Sequence, residues 1–191
     1  ILTDKSGRVV GLKVKGKDGT YTIHSKAVVD AAGGFGANNE MVAKYVPRLK
    51  GFATTNHPGA TGDGLLLAEK IGAQLIQMDQ IQTHPTVVPN VGEMITEAVR
   101  GNGAVLINKE GKRFFNELET RDKVSAAILK QKDGVAYLFF DSDMQKSLKA
   151  TNNYIKQKYC LNGATLDEVA GKMGVPADTL KATMDAWKAG K

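Results

Sequence analysis

The chain has 191 residues, of which 42% are apolar and 24% charged, a balance that excludes general disorder and is ample for a hydrophobic core. Its 26 basic and 20 acidic residues leave a formal charge of +6, yet the lysines are dispersed, with no basic block and no interleaved aromatics, which describes a solvated surface rather than a nucleic-acid footprint. The one cysteine, Cys160, excludes an internal disulfide and a cysteine-clustered metal site.

The start, Ile1-Leu2-Thr3-Asp4, lacks a signal-peptide pattern and an initiating Met, so a chain cut from something longer is expected. No apolar run reaches the ~18 residues of a spanning helix, and no membrane insertion is expected. Val9 to Lys15, the turn signal Gly16-Lys17-Asp18-Gly19, and alternating Thr20 to His24 predict a β-hairpin. The apolar run Ala27-Val28-Val29-Asp30-Ala31-Ala32 predicts a short buried strand ending in Gly33-Gly34-Phe35-Gly36. Asn38 or Asn39 can then cap a helix to about Val46. Asp63 or Thr61 is expected to cap a second helix through Ile71, with Gly72 ending it. Gln74 to Met78 reads as a strand. From about residue 80, strands and helices alternate. Ala104 to Asn108, a turn at residues 109–112, and Arg113 to Phe115 predict a second hairpin. Thr120 to Gln131 predicts an amphipathic helix, and Val135 to Phe140 a strand. The last 40 residues read as helical, with a Thr165-x-x-Glu168 capping box and Pro176 opening the final helix.

Four segments could carry chemistry. Gly33 and Gly34 at a strand end would let a ligand approach the main chain, or simply form a tight turn. Thr61-Gly62-Asp63-Gly64 precedes a helix, where N–H groups bind polar ligand atoms; the Asp63 carboxylate suits a hydroxyl-bearing group or plain capping better than phosphate. In Gln82-Thr83-His84-Pro85-Thr86, Pro85 biases His84 to an extended backbone. In Met94-Ile95-Thr96-Glu97-Ala98-Val99-Arg100-Gly101, Glu97 and Arg100 share one face of a helical turn and can pair. Should His84, Thr96, Arg100 and Arg121 converge, they would form a cationic pocket with a hydroxyl donor, suited to a small carboxylate. An ordinary surface ion pair is the plainer alternative.

Taken in order, Ala32-Gly33-Gly34-Phe35, Thr61-Gly62-Asp63-Gly64, Gln82 to Thr86, Thr96 to Gly101, Asn116-Glu117 and Thr120-Arg121-Asp122 resemble the flavoprotein of the fumarate reductase/succinate dehydrogenase family. The nearest likeness is to the soluble periplasmic flavocytochrome c fumarate reductases of Shewanella type. The resemblance covers essentially the whole chain. It implies an α+β fragment of two incomplete domains: residues 1–79 from the end of an FAD-binding α/β domain, and residues 80–191 from the mobile clamp (capping) domain.

The resemblance also implies roles. Arg121 would deliver a proton to the substrate carbon, and Glu97 and Arg100 would relay protons to it. His84 and Thr96 would hold one substrate carboxylate, with Met94 and Glu97 near the substrate. Asp63, Gly33, Gly34 and Gly62 would lie on the FAD side. Implied partners are fumarate or succinate and an electron-donating cytochrome domain or protein, and the implied compartment is the periplasm. No metal ligand set is expected. The chain departs from the family pattern in three ways. It has no Gly-x-Gly-x-x-Gly fingerprint after an N-terminal strand. It has no Cys-x-x-Cys-His, so haem c would sit on a separate domain of the parent. It has no His or Arg after residue 121 to complete the dicarboxylate clamp. The rival enzyme readings are a urocanate-type reductase or a steroid or aspartate oxidising flavoenzyme. The rival outside enzymes is an anion- or nucleic-acid-binding domain, suggested by the positive charge alone.

Overall fold

The computed structural model describes residues 1–190 and divides into two compact units, Ile1–Ile81 and Gln82–Lys191. Helix and strand are mixed in both.

In the first unit, β1 (Leu2–Thr3), β2 (Val9–Gly16) and β3 (Gly19–His24) form an antiparallel sheet in that order. The hairpin closes where expected, with Gly16 opposite Gly19 and Val14 opposite Tyr21. Gly11 is required on β2: a Cβ there would lie 2.0 Å from the Ile23 carbonyl oxygen. α1 (Asn39–Tyr45) begins at Asn38, whose side chain accepts the Met41 N–H at 3.0 Å and donates to the Thr61 carbonyl at 2.9 Å. That pair of bonds caps the helix and ties it to the loop before α2 (Asp63–Glu69).

Three expectations fail in this unit. Residues 27–32 form no strand, and Val29 is 88% exposed. A buried strand needs ladder partners, and β3 stops at His24; the Asp30 carboxylate instead accepts the Ala32 N–H and bends the chain. Residues 74–78 are not a strand either, because Gln77 takes a left-handed conformation and starts a turn closed by the Gln80 N–H on its carbonyl. Neither Asp63 nor Thr61 caps α2 with its side chain. The cap is Gly62, at φ +81°, where a Cβ would press on Met41 Sδ and Phe35 Cβ. α2 ends at Glu69, and Gly72 lies in the turn beyond it, at φ +96°.

The second unit is built around a two-stranded ribbon, β4 (Val105–Ile107) with β5 (Tyr137–Phe139), antiparallel. The expected partner of β4, residues 113–115, makes one bridge, Ile107 with Arg113. The turn between them does form: the Asn108 side chain accepts the N–H groups of Glu110 and Lys112. Phe114 and Phe115 then leave the ribbon to pack beside Leu106, Val124 and Ile128.

β4 is buried on both faces. Val105 and Ile107 pack against Ala170, Met173, Leu180 and Met184, which lie on α7 (Leu166–Met173) and α8 (Ala177–Ala189). Leu106 faces α4 (Arg121–Leu129). A third cluster joins Val99 on α3 (Ala98–Gly101) and Ala104 to Met144 on α5 (Ser142–Ser147) and Tyr154 on α6 (Ala150–Lys156). α5, capped by Asp141, was not anticipated. α4 is shorter than expected and leaves Leu129 half exposed. The Thr165 cap forms, but the Glu168 side chain reaches the Ala164 N–H rather than that of Thr165. Among the described residues no helix is long and apolar enough to cross a membrane.

Candidate functional site

The second unit brings Glu97, Arg100 and Arg121 together. Thr86 and Ile95 exchange hydrogen bonds, the Thr86 hydroxyl and carbonyl both engaging Ile95, so the segment after His84 runs antiparallel to the segment before Thr96. Beyond Thr96 the backbone turns into α3, with the Val99 N–H donating to the Thr96 carbonyl. This places Glu97 and Arg100 on one side of a single turn. Arg121 is the first residue of α4, so its side chain leaves from a fixed helix end.

One carboxylate serves both guanidinium groups. Arg100 Nη2 donates to Glu97 Oε1 at 3.0 Å; Arg121 Nη2 and Nε donate to Oε2 at 2.8 and 3.3 Å. Arg121 Nη1 also donates to Gln82 Oε1 at 2.9 Å. The Arg121 hydrogen bond, with both guanidinium charges, holds the Glu97 carboxyl below its usual range, and Glu97 in turn raises Arg121. Two cations on one anion leave the cluster net positive, which favours an anionic ligand.

Arg100 and Arg121 differ in surroundings. The Arg100 side chain is 2% exposed and that of Arg121 37%. Arg100 Nη1 donates to the Glu117 main-chain oxygen, and its Nε is buried without a partner.

His84 stands within the electrostatic reach of this cluster. Burial lowers its pKa first, and the charges of Arg121 and Arg100 push the same way. The ring is therefore neutral near pH 7. Nδ1 accepts the Thr86 N–H at 3.4 Å, so the proton lies on Nε2, which is buried and unpaired. A neutral imidazole with a free N–H donor is suited to a carboxylate oxygen. Thr96 is half-buried, and its N–H donates to the Tyr154 hydroxyl at 3.0 Å. Met94 is partly exposed on the segment bridged to Val87.

The residues expected on the cofactor side all lie in the first unit. Gly33 and Gly34 are exposed, and a Cβ at either would meet nothing within 4 Å. The Gly62 N–H donates to the Gly34 carbonyl at 3.0 Å, which brings these two loops together. Asp63 is exposed at the start of α2. Among the described residues no group of three or more His, Cys, Asp or Glu side chains could hold a metal ion.

Sequence reasoning assigned no role to Gln82, Glu117 or Tyr154. The partner that each one bonds lies at least 17 positions away in sequence, so local spacing does not show these contacts.

The FAD binding domain family matches residues 1–189. The chain belongs to this FAD-binding family. Two curated relatives and one solved structure add detail. The fumarate reductase (cytochrome) of Shewanella frigidimarina is 49% identical over 185 residues, covering 96% of this chain and 32% of that protein. The NADH:fumarate oxidoreductase of Klebsiella pneumoniae is 46% identical over 165 residues, 86% of this chain and 18% of the relative. The open conformation of a flavocytochrome c3 fumarate reductase superposes with a TM-score of 0.74 at 41% identity, over 98% of this chain and 34% of that one. The chain thus spans about a third or less of the length of each. In the first unit the exposed main chain at Gly33 and Gly34 leaves room for close approach of a ligand, while the dinucleotide fingerprint is absent from the sequence.

Proposed function

We propose that this chain is part of a flavin-dependent fumarate reductase and supplies the proton-delivery side of its active site. The observation that carries the reading is the single Glu97 carboxylate bridging Arg100 and Arg121, beside a neutral His84 with an unpaired N–H. The names of the relatives point the same way.

Reduced FAD, when bound, supplies a hydride to one alkene carbon; the other carbon needs a proton. Arg121 is the donor in this reading. Its hydrogen bond to Glu97 keeps it fully protonated, so it gives up a proton only to a centre as basic as the carbanion formed when hydride arrives. Its charge also stabilises that carbanionic character. Arg121 regains its proton through the Glu97 carboxylate, which takes one from Arg100 and passes it on, solvent replacing the proton that Arg100 gives up. His84 Nε2–H and the Thr96 hydroxyl bind one substrate carboxylate and orient the alkene, with Met94 alongside. Gly33, Gly34, Gly62 and Asp63 line the flavin side.

In the same reading, residues 1–79 complete part of an FAD-binding domain and residues 80–191 form a clamp domain. The parent protein works in the periplasm, takes electrons from a cytochrome domain or protein, and carries any haem c outside this chain. The test is Arg121→Ala in the full-length protein. Fumarate reduction should fall by about 10³-fold, the middle of the range that positioned acid catalysis supplies, with FAD retained. Surviving activity removes Arg121 from the donor role. A panel with urocanate, aspartate and a steroid run on the unsubstituted protein decides the substrate class.

A further inference from the structure

Among the described residues only two charged side chains are buried, Arg100 and Glu117, and the Arg100 guanidinium meets the Glu117 main chain. Buried charges are costly unless fully paired. Glu117 meets that condition. Its Oε1 accepts the Leu106 N–H at 2.9 Å and Arg113 Nε at 3.0 Å, and its Oε2 accepts Arg113 Nη2 at 2.8 Å. Burial alone would raise the Glu117 carboxyl, but these donors outweigh it and hold it below its usual range. The carboxylate is thus pinned to β4 on one side and to the Arg113 fork on the other.

What Glu117 offers Arg100 is its main-chain oxygen. Arg100 has two anchors, that oxygen on Nη1 and Glu97 on Nη2; the third position, Nε, has none. Glu97 is half exposed and shared with Arg121. The Glu117 carbonyl is the anchor whose own residue is held by charge-assisted bonds, one of them fully buried.

We infer that Glu117 is a positioning residue: its carboxylate, clamped by Arg113 and the Leu106 N–H, fixes the main-chain oxygen that orients Arg100, and so sets how Arg100 holds Glu97 toward Arg121. The inference deepens the reading of Arg121 as proton donor and rests on it. Glu117→Gln is the informative change. The amide oxygen can still accept the Leu106 N–H, but the amide N–H groups face the N–H donors of Arg113, and the fork is lost.

The experiment uses the full-length protein with fumarate as substrate. Glu117→Gln should lower kcat about tenfold with KM within about twofold, as expected for a misplaced catalytic group. In an Arg100→Met background the same change should cost less than about twofold further, because the two residues act as one unit. Crystal structures should show the Arg100 guanidinium displaced in the Glu117→Gln protein. An unchanged kcat, equal proportional losses in both backgrounds, or an unmoved Arg100 overturns the inference. If the unsubstituted protein reduces no fumarate, the proposed function has failed, and the crystal comparison alone still decides whether Glu117 places Arg100.

Discussion

Tyr154→Phe isolates one hydrogen bond behind the site. Tyr154 is 7% exposed and packs with Val99, Ala104 and Met144. Phenylalanine keeps that packing and removes only the hydroxyl. The Thr96 N–H, now 3.0 Å from the phenol oxygen, is then left without an acceptor. Leaving a buried donor unpaired costs about 1–3 kcal/mol. Thr96 is half-buried, so water restores part of that loss, and about 1–2 kcal/mol remains. Urea unfolding followed by the fluorescence of Trp187, the one tryptophan of the chain, reads the second unit, since Trp187 lies on α8. With a slope of about 2 kcal/mol per M, the midpoint should drop by about 0.5–1 M at unchanged slope. The turn carrying Glu97 and Arg100 starts at Thr96, so KM for fumarate in the full-length protein should rise severalfold as well. A variant with the wild-type midpoint and wild-type KM would show that the Tyr154 hydroxyl supports neither the fold nor the site.

The lowered His84 pKa makes a pH prediction. Its contribution to stability is fully present above the unfolded imidazole value of ~6.5 and declines as pH falls from there to the lower folded value. His84→Gln should abolish that limb, and urea midpoints measured in steps from pH 8 to 5 will show it; matching curves refute the burial argument. For Glu117, also lowered, the stabilisation is present above the ordinary Glu range and is lost as pH falls through the folded value, so Glu117→Gln should flatten the acid side of the profile. The 191-residue chain alone should purify without visible flavin absorbance. A yellow preparation with one FAD per chain would show that the missing fingerprint is not needed for binding.

Elements set by local signals form where the sequence predicts them. The Gly16-x-x-Gly19 hairpin, the Asn38 and Thr165 caps and the final helix after Pro176 all depend on residues within four positions of one another. The failures share another cause. An apolar run such as Ala27-Val28-Val29 has strand character, but a strand exists only with a partner, and the sequence does not say where that partner lies. β4 was recognised, yet its neighbour is β5, some 30 residues away, rather than the adjacent segment. The same limit holds at the site. The Glu97–Arg100 pair follows from helical spacing. Spacing offers Arg121, 24 positions from Glu97, only as a residue that could converge on the site, and its link to Glu97 comes from resemblance to a known family. Tyr154 carries no signal, and Glu117 enters only as part of the Asn116-Glu117 resemblance segment with no role attached, because a carboxylate and a phenol look the same in sequence whether they face water or hold a neighbouring main chain.

The shared carboxylate of Glu97 has a consequence for how this site can change. Each of its oxygens is committed to a different arginine. Aspartate, one methylene shorter, cannot span both, and glutamine offers one oxygen and one amide nitrogen where two acceptors are required. Aspartate or glutamine at position 97 can therefore keep at most one of the two guanidinium links. A change at Arg100 or Arg121 breaks one link and spares the other, whereas position 97 is constrained twice over, so new activities on this scaffold would arise more readily from the residues around Glu97.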